Sequence, residues 1–196
     1  MTELFPAYDA TRTRMLELAR AAGPEALGAG DFPSGDINEW VDKILTARSG
    51  ASLDELADEW VGANETIAGM VNGGGAMLFD DLVVHEHDLR SALGVTDHAA
   101  LDANVMVPSS LASCVAALET AGLGSIEVRS AEGTWRSHDA EPGWVLEVSP
   151  WEAVRVIYSR RTADELRALG GSDNIDAYIA VLDAHLPLPV VSLNES

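Results

Sequence analysis

The sequence predicts an α+β protein, a helical N-terminal part followed by a small α+β C-terminal domain. Three observations carry this. Up to Gly122 the apolar residues recur at three- and four-residue spacings, the period of an α-helix. Beyond it, Ser125-Ile126-Glu127-Val128-Arg129 and Trp144-Val145-Leu146-Glu147-Val148 alternate with period two, as strands with one buried face do. Two capping boxes, Ser52-Leu53-Asp54-Glu55 and Thr162-Ala163-Asp164-Glu165, mark helix starts on either side of that change. The expected division is residues 1–100 as an antiparallel helical bundle, 101–122 as a linking helix and 123–196 as the small domain.

The elements follow in order. Glu3 to Ala22 reads as the first helix, stopped by Gly23-Pro24. After a loop rich in Gly, Pro and Asp, Asp36 to Arg48 reads as the second, with Ile37, Trp40, Val41 and Ile44 inward. The third starts at the Ser52 capping box and runs through Leu53, Leu56, Trp60, Ile67 and Val71 to the glycines at 73–75. Met77 to Gly94 is the fourth, with Gly94 as its C-terminal stop. Pro108 is placed to open a helix over Ser109–Ala121, since a first-turn proline loses no helical bond. Ala131-Glu132-Gly133 reads as a hairpin turn into a short second strand. Ser149-Pro150 opens a helix to about Ser159, Thr162 a short one to Gly170-Gly171, and Ile175–His185 forms the last.

The fourth helix holds the candidate chemistry. Leu78, Leu82, His85, Leu89 and Ala92 share one face, so His85 is expected inward, and His87, on the far side, outward. Asp81 lies four residues before His85 and Asp88 three after it, which puts all three on one edge of that face. A carboxylate and an imidazole one turn apart can close on one cation. The same pair also arises as a structural contact on an acidic helix.

Composition narrows the classes. The chain has 196 residues, 47% of them hydrophobic and 22% charged, which suits a globular protein with a real core. A net charge of −20 argues against nucleic acid or anionic membrane as a general partner, because phosphate contacts need a basic surface. No apolar run nears the roughly 20 residues of a membrane span, and no leader pattern opens the chain, so a cytoplasmic protein is expected. The single Cys114 excludes an internal disulfide and reads as a buried structural thiol. No phosphate loop, G-x-S-x-G, C-x-x-C or H-E-x-x-H is present. His98, His138 and His185 stand apart, and Arg160-Arg161 is the one adjacent arginine pair.

Three stretches together resemble a known family. VVHEHDLRSALG is similar to the signature of the mycothiol-dependent maleylpyruvate isomerases, in which a histidine, two residues, an aspartate and then a helix end in Ala-Leu-Gly. INEWVDKILTARSGASLDELADEW resembles the family's second and third helices. SIEVRSAEGTW through SRRTADELRALGGSDNIDAYIAVL resembles its small C-terminal domain, related to sterol-carrier-like folds, with Ser159-Arg160-Arg161 where the family has Gly-Arg-Arg.

The resemblance implies a DinB-like four-helix bundle holding a divalent metal, usually zinc, with mycothiol as the thiol cofactor and a small-molecule substrate. It places Asp81 at a family glutamate and His85 at a family histidine, the two ligands on the last bundle helix. The family's first ligand is a histidine near the N-terminus. Here Glu3 is the residue that could stand in for it, with Asp88 a further candidate. Two carboxylates and one imidazole make a harder, more weakly held site than the family's. Arg161 and Arg160 are expected near the site, where a guanidinium could hold a carboxylate or part of the thiol. The implied activity is isomerisation or thiol transfer, with a non-catalytic metal- or small-ligand-binding protein as the alternative and a homodimer as an expected assembly.

Overall fold

The structure, a computed structural model, describes residues 5–22, 46, 48–73, 76–95 and 103–193. These form helices and a small three-stranded mixed sheet, an α+β protein with mostly helical content. The chain divides into two compact units, Met1–Gly75 and Ala76–Ser196. The division falls before the fourth expected helix, not near Gly122. The expected second helix lies outside the described residues, apart from Thr46 and Arg48 at its end, and Glu3 lies outside them too.

In the first unit, α1 spans Phe5–Ala22, α2 Leu53–Gly62 and α3 Asn64–Asn72. The Ser52 capping box is formed as read, with Glu55 reaching back to the Ser52 N–H at 2.7 Å. One continuous helix was expected over α2 and α3. The break falls at Ala63, just after Gly62, a residue that costs a helix interior about 1 kcal/mol relative to alanine. Trp60 Nε1 donates to the Tyr8 hydroxyl at 2.9 Å, and buried Arg12 donates to Asn64 and pairs with Asp9, tying α1 to the α2–α3 pair.

The second unit begins with α4, Ala76–Ala92. It ends as its sequence predicts: Gly94 adopts φ +66°, and the Val95 and Gly94 amides return to the carbonyls of Arg90 and Ser91. Helix α5, Ala103–Ser113, and α6, Val115–Thr120, replace the single helix expected from Ser109. Pro108 sits inside α5 and does not open it, so it removes one helical bond there. The Ser110 hydroxyl donates to the Met106 carbonyl in the same turn.

Strand β1, Ser125–Arg129, is central, with β2, Thr134–Arg136, antiparallel on one side and β3, Pro142–Glu147, parallel on the other. Ile126 pairs with Trp144 and Val128 with Leu146, and all four are buried. Glu127, on the opposite face, is also buried, beneath Arg129 and Arg136, which both pair with it.

Helix α7, Pro150–Ile157, packs on α5. Helices α8, Ala163–Leu169, and α9, Ile175–His185, pack on each other, and the Thr162–Glu165 capping box is formed. Trp144 Nε1 donates to the Gly170 carbonyl at 2.8 Å, and the Tyr178 hydroxyl donates to the Gly124 carbonyl at 3.1 Å, so sheet and helices are pinned by side chains buried in the core. Among the described residues no helix is long and apolar enough to cross a membrane.

Candidate functional site

Helix α4 buries a face that the leucine stripe does not predict, although Leu82 of that stripe is buried within it. His87 is 1% exposed, whereas the His85 side chain is 51% exposed. The expectation of His85 inward and His87 outward is therefore reversed. The buried face is broad: it runs through Phe79, Val83, Glu86, His87 and Arg90 and takes in Asp80, Leu82 and Val84. On that face Arg90 donates to Glu86 Oε1 at 2.9 Å, one turn away, and the His87 ring lies 6.0 Å from the Trp151 ring, centroid to centroid.

Asp81, His85 and Asp88 do come together, but on the accessible edge of the helix. Asp81 Oδ1 lies 3.5 Å from His85 Nε2, and Asp88 Oδ2 lies 3.3 Å from His85 Nδ1. The two carboxylates thus address opposite edges of one ring. Their hydrogen bonds, with Asp81's the larger, raise the His85 pKa to about 9. Asp81 is held below its usual value by the same contact.

Asp88 is the hub of the cluster. Arg155 Nη1 donates to its Oδ1 at 2.8 Å, and Arg160 contributes Nε to Oδ1 at 3.2 Å and Nη2 to Oδ2 at 2.8 Å. Burial alone would raise the Asp88 pKa. Hydrogen bonds from His85 and Arg160, with the charges of Arg160 and Arg155, outweigh it and hold the carboxyl well below the usual range.

Arg160 is aimed by the end of α7. Ser159 adopts φ +57°, and the Ser159 and Arg160 amides return to the carbonyls of Val156 and Arg155. This is the reversal that glycine usually makes, and the sequence resemblance places a glycine at this position. The Ser159 hydroxyl donates to the Leu186 carbonyl at 2.6 Å.

Arg161, expected beside Arg160, points elsewhere. It pairs with Glu152 at 2.6 Å and stacks over Trp151 with 5.3 Å from guanidinium carbon to ring centroid.

Three participants escaped the sequence reading. Arg155 is fully buried yet charged. Asp80, also buried, accepts from Ser109 Oγ and from the Tyr158 hydroxyl, both at 3.0 Å, and burial raises its pKa against those bonds. Arg155 lies on α7 and Tyr158 just past its end, and no local sequence signal marks either as a partner of Asp88 or Asp80.

Against a divalent ion the donor set fits in part. The 3.5 Å between Asp81 Oδ1 and His85 Nε2 is a spacing two ligands of one ion can have. Asp88 cannot join them, because it lies at the other edge of the ring among guanidinium groups. Among the described residues no three acid, histidine or cysteine side chains are grouped to hold a metal.

A separate cavity of about 320 Å³, lined by Thr162, Asp164, Ile179, Asp183, Leu188 and Val190 among others, includes none of the expected site residues. Cys114 is buried, and its thiol is pushed up to about 11, as expected of an inert structural group. Compared with protein-family models, with curated proteins and with solved structures, the chain has no match in any of the three.

Proposed function

We propose that the chain is a divalent-metal- and mycothiol-dependent isomerase or thiol transferase of the maleylpyruvate isomerase type. One observation carries the reading. Arg160 reaches across 72 residues to Asp88, which backs the His85 ring whose other nitrogen stands beside Asp81. An acid, a histidine and an arginine are the groups that the sequence resemblance calls for at one site.

Asp81 and His85 would hold the ion, with zinc the expected one. The ion would favour the thiolate of a bound thiol, the nucleophile for reversible addition to a double bond. Arg160 is the group suited to the substrate, because its planar fork matches a carboxylate. It is partly exposed, at 24%, and Asp88 keeps buried Arg155 if Arg160 turns outward. The substrate class that follows is a small unsaturated carboxylic acid.

The exposure of Asp81 and His85, 70% and 51%, favours a second reading, a binding protein without catalysis. Metal-thiolate chemistry profits from a site that excludes water, and these two side chains stay wet.

The test is a zinc-loaded assay with mycothiol and a cis-unsaturated oxo acid, followed by ultraviolet absorbance. Turnover that requires the thiol and disappears in His85→Ala supports the enzyme. Calorimetric binding of mycothiol without turnover supports the second reading. Neither binding nor turnover would overturn both.

A further inference from the structure

We infer that Asp88 is a positioning residue and not a metal ligand: it holds the Nδ1 edge of His85, so that Nε2 is the nitrogen presented beside Asp81. The inference rests on the proposed site, whose histidine it orients, but it concerns a hydrogen bond that exists without metal or thiol.

Four observations carry it. First, both Asp88 oxygens are committed, Oδ1 to Arg155 and Arg160, and Oδ2 to Arg160 and the His85 ring. A divalent ion on either oxygen would sit against two guanidinium charges. Second, Asp88 and Asp81 face different nitrogens of one imidazole, so the three side chains cannot converge on one point. Third, the two carboxylates differ in how firmly they are placed. Asp88 is anchored by a fully buried arginine and by the bidentate fork of a second. Asp81 is 70% exposed, where water competes for its oxygens. Fourth, the nearer contact is the anchored one, at 3.3 Å against 3.5 Å.

A histidine that ligates a metal commonly donates its other ring N–H to a carboxylate, which fixes the tautomer and turns the free nitrogen to the ion. Here Arg155 and Arg160 form a further layer behind that carboxylate. Through them α7 and the Ser159 turn set the orientation of a ring on α4. Purely structural ion pairing would tie the helices together without selecting a ring nitrogen.

The experiment reads the tautomer directly, from nitrogen chemical shifts of ¹⁵N-histidine protein at a pH where the imidazole is neutral, without metal. The expected result is the Nδ1–H form for His85 in the wild type, retained in Asp81→Asn. Asp88→Asn, with folding checked by circular dichroism, should return the ring to the Nε2–H form that free histidine favours. Because that variant disturbs a buried arginine, the wild type and Asp81→Asn decide the matter if it does not fold. An Nε2–H form in the wild type would overturn the inference, as would a tautomer that changes in Asp81→Asn or stays Nδ1–H in folded Asp88→Asn. A protein that binds neither zinc nor mycothiol would refute the proposed function and leave the tautomer result intact.

Discussion

Asp88 Oδ1 lies 2.8 Å from Nη1 of Arg155, a residue with no exposed surface that stands 67 positions further along the chain. A guanidinium cannot shed its charge, so burial makes the carboxylate partner structurally necessary. Replacing Asp88 by alanine takes one ionic partner from that buried charge and should cost about 1–3 kcal/mol. Asp81→Ala, on the exposed edge, should cost less than about 1 kcal/mol. Urea unfolding of the two variants checks the contrast, and equal losses would remove Asp88 from its place as hub.

The His85 environment predicts a pH dependence with a definite sign. Its pKa is raised from 6.5 to about 9 in the folded protein, chiefly by Asp81 and then by Asp88. The stabilisation is therefore fully present below about 6.5 and fades as pH rises through about 9. The side chain is half-exposed, so solvent screening keeps the effect small. The stability difference between wild type and His85→Ala, measured by urea midpoint, should shrink across that interval. A difference that grows with pH would contradict the assignment.

Gly171 is predicted to be irreplaceable. Its φ is +81°, and a Cβ there would stand 1.9 Å from the Val145 carbonyl oxygen, far inside van der Waals contact. Its neighbour Gly170 also has a positive φ, +65°, but faces open space. Gly170→Ala should therefore meet no steric overlap, but φ +65° with ψ −146° is a backbone region kept almost entirely for glycine, so it should still cost about 1–3 kcal/mol. Gly171→Ala should displace β3 from the Gly171 carbonyl that now receives the Val145 N–H, and lower the thermal midpoint much further.

Ser159 offers a finer test. Glycine there would relieve about 1–2 kcal/mol of left-handed strain. It would also lose the bond to Leu186, worth about 1 kcal/mol, and add unfolded-state entropy. The two sides nearly cancel. Alanine keeps the strain and loses the bond, so Ser159→Ala should be the less stable of the two in thermal unfolding.

These cases show what the sequence discloses. Helix Ile175–His185, strand Ser125–Arg129 and both capping boxes were legible because each depends on local signals, namely periodicity and cap chemistry. The span of α4 was legible within two residues at each end, but not the face it buries. Hydropathy ranks Glu86, His87 and Arg90 as outward, whereas the ion pair between Glu86 and Arg90 lets those two be buried. The Glu-to-Arg spacing of four and the Phe79–Val83 pair one turn earlier were the available signals. Arg155 and Tyr158 were not legible as site residues, because their partners Asp88 and Asp80 lie on a different helix far back in the chain.

Zinc calorimetry near neutral pH tests most directly whether Asp81 and the Nε2 edge of His85 together offer the proposed cation site. Binding must displace the proton that the raised His85 pKa retains, so it should be weak in the wild type. It should be abolished by His85→Ala and weakened by Asp81→Asn. Zinc binding of unchanged affinity in His85→Ala, or no heat in the wild type at any zinc concentration, would contradict it.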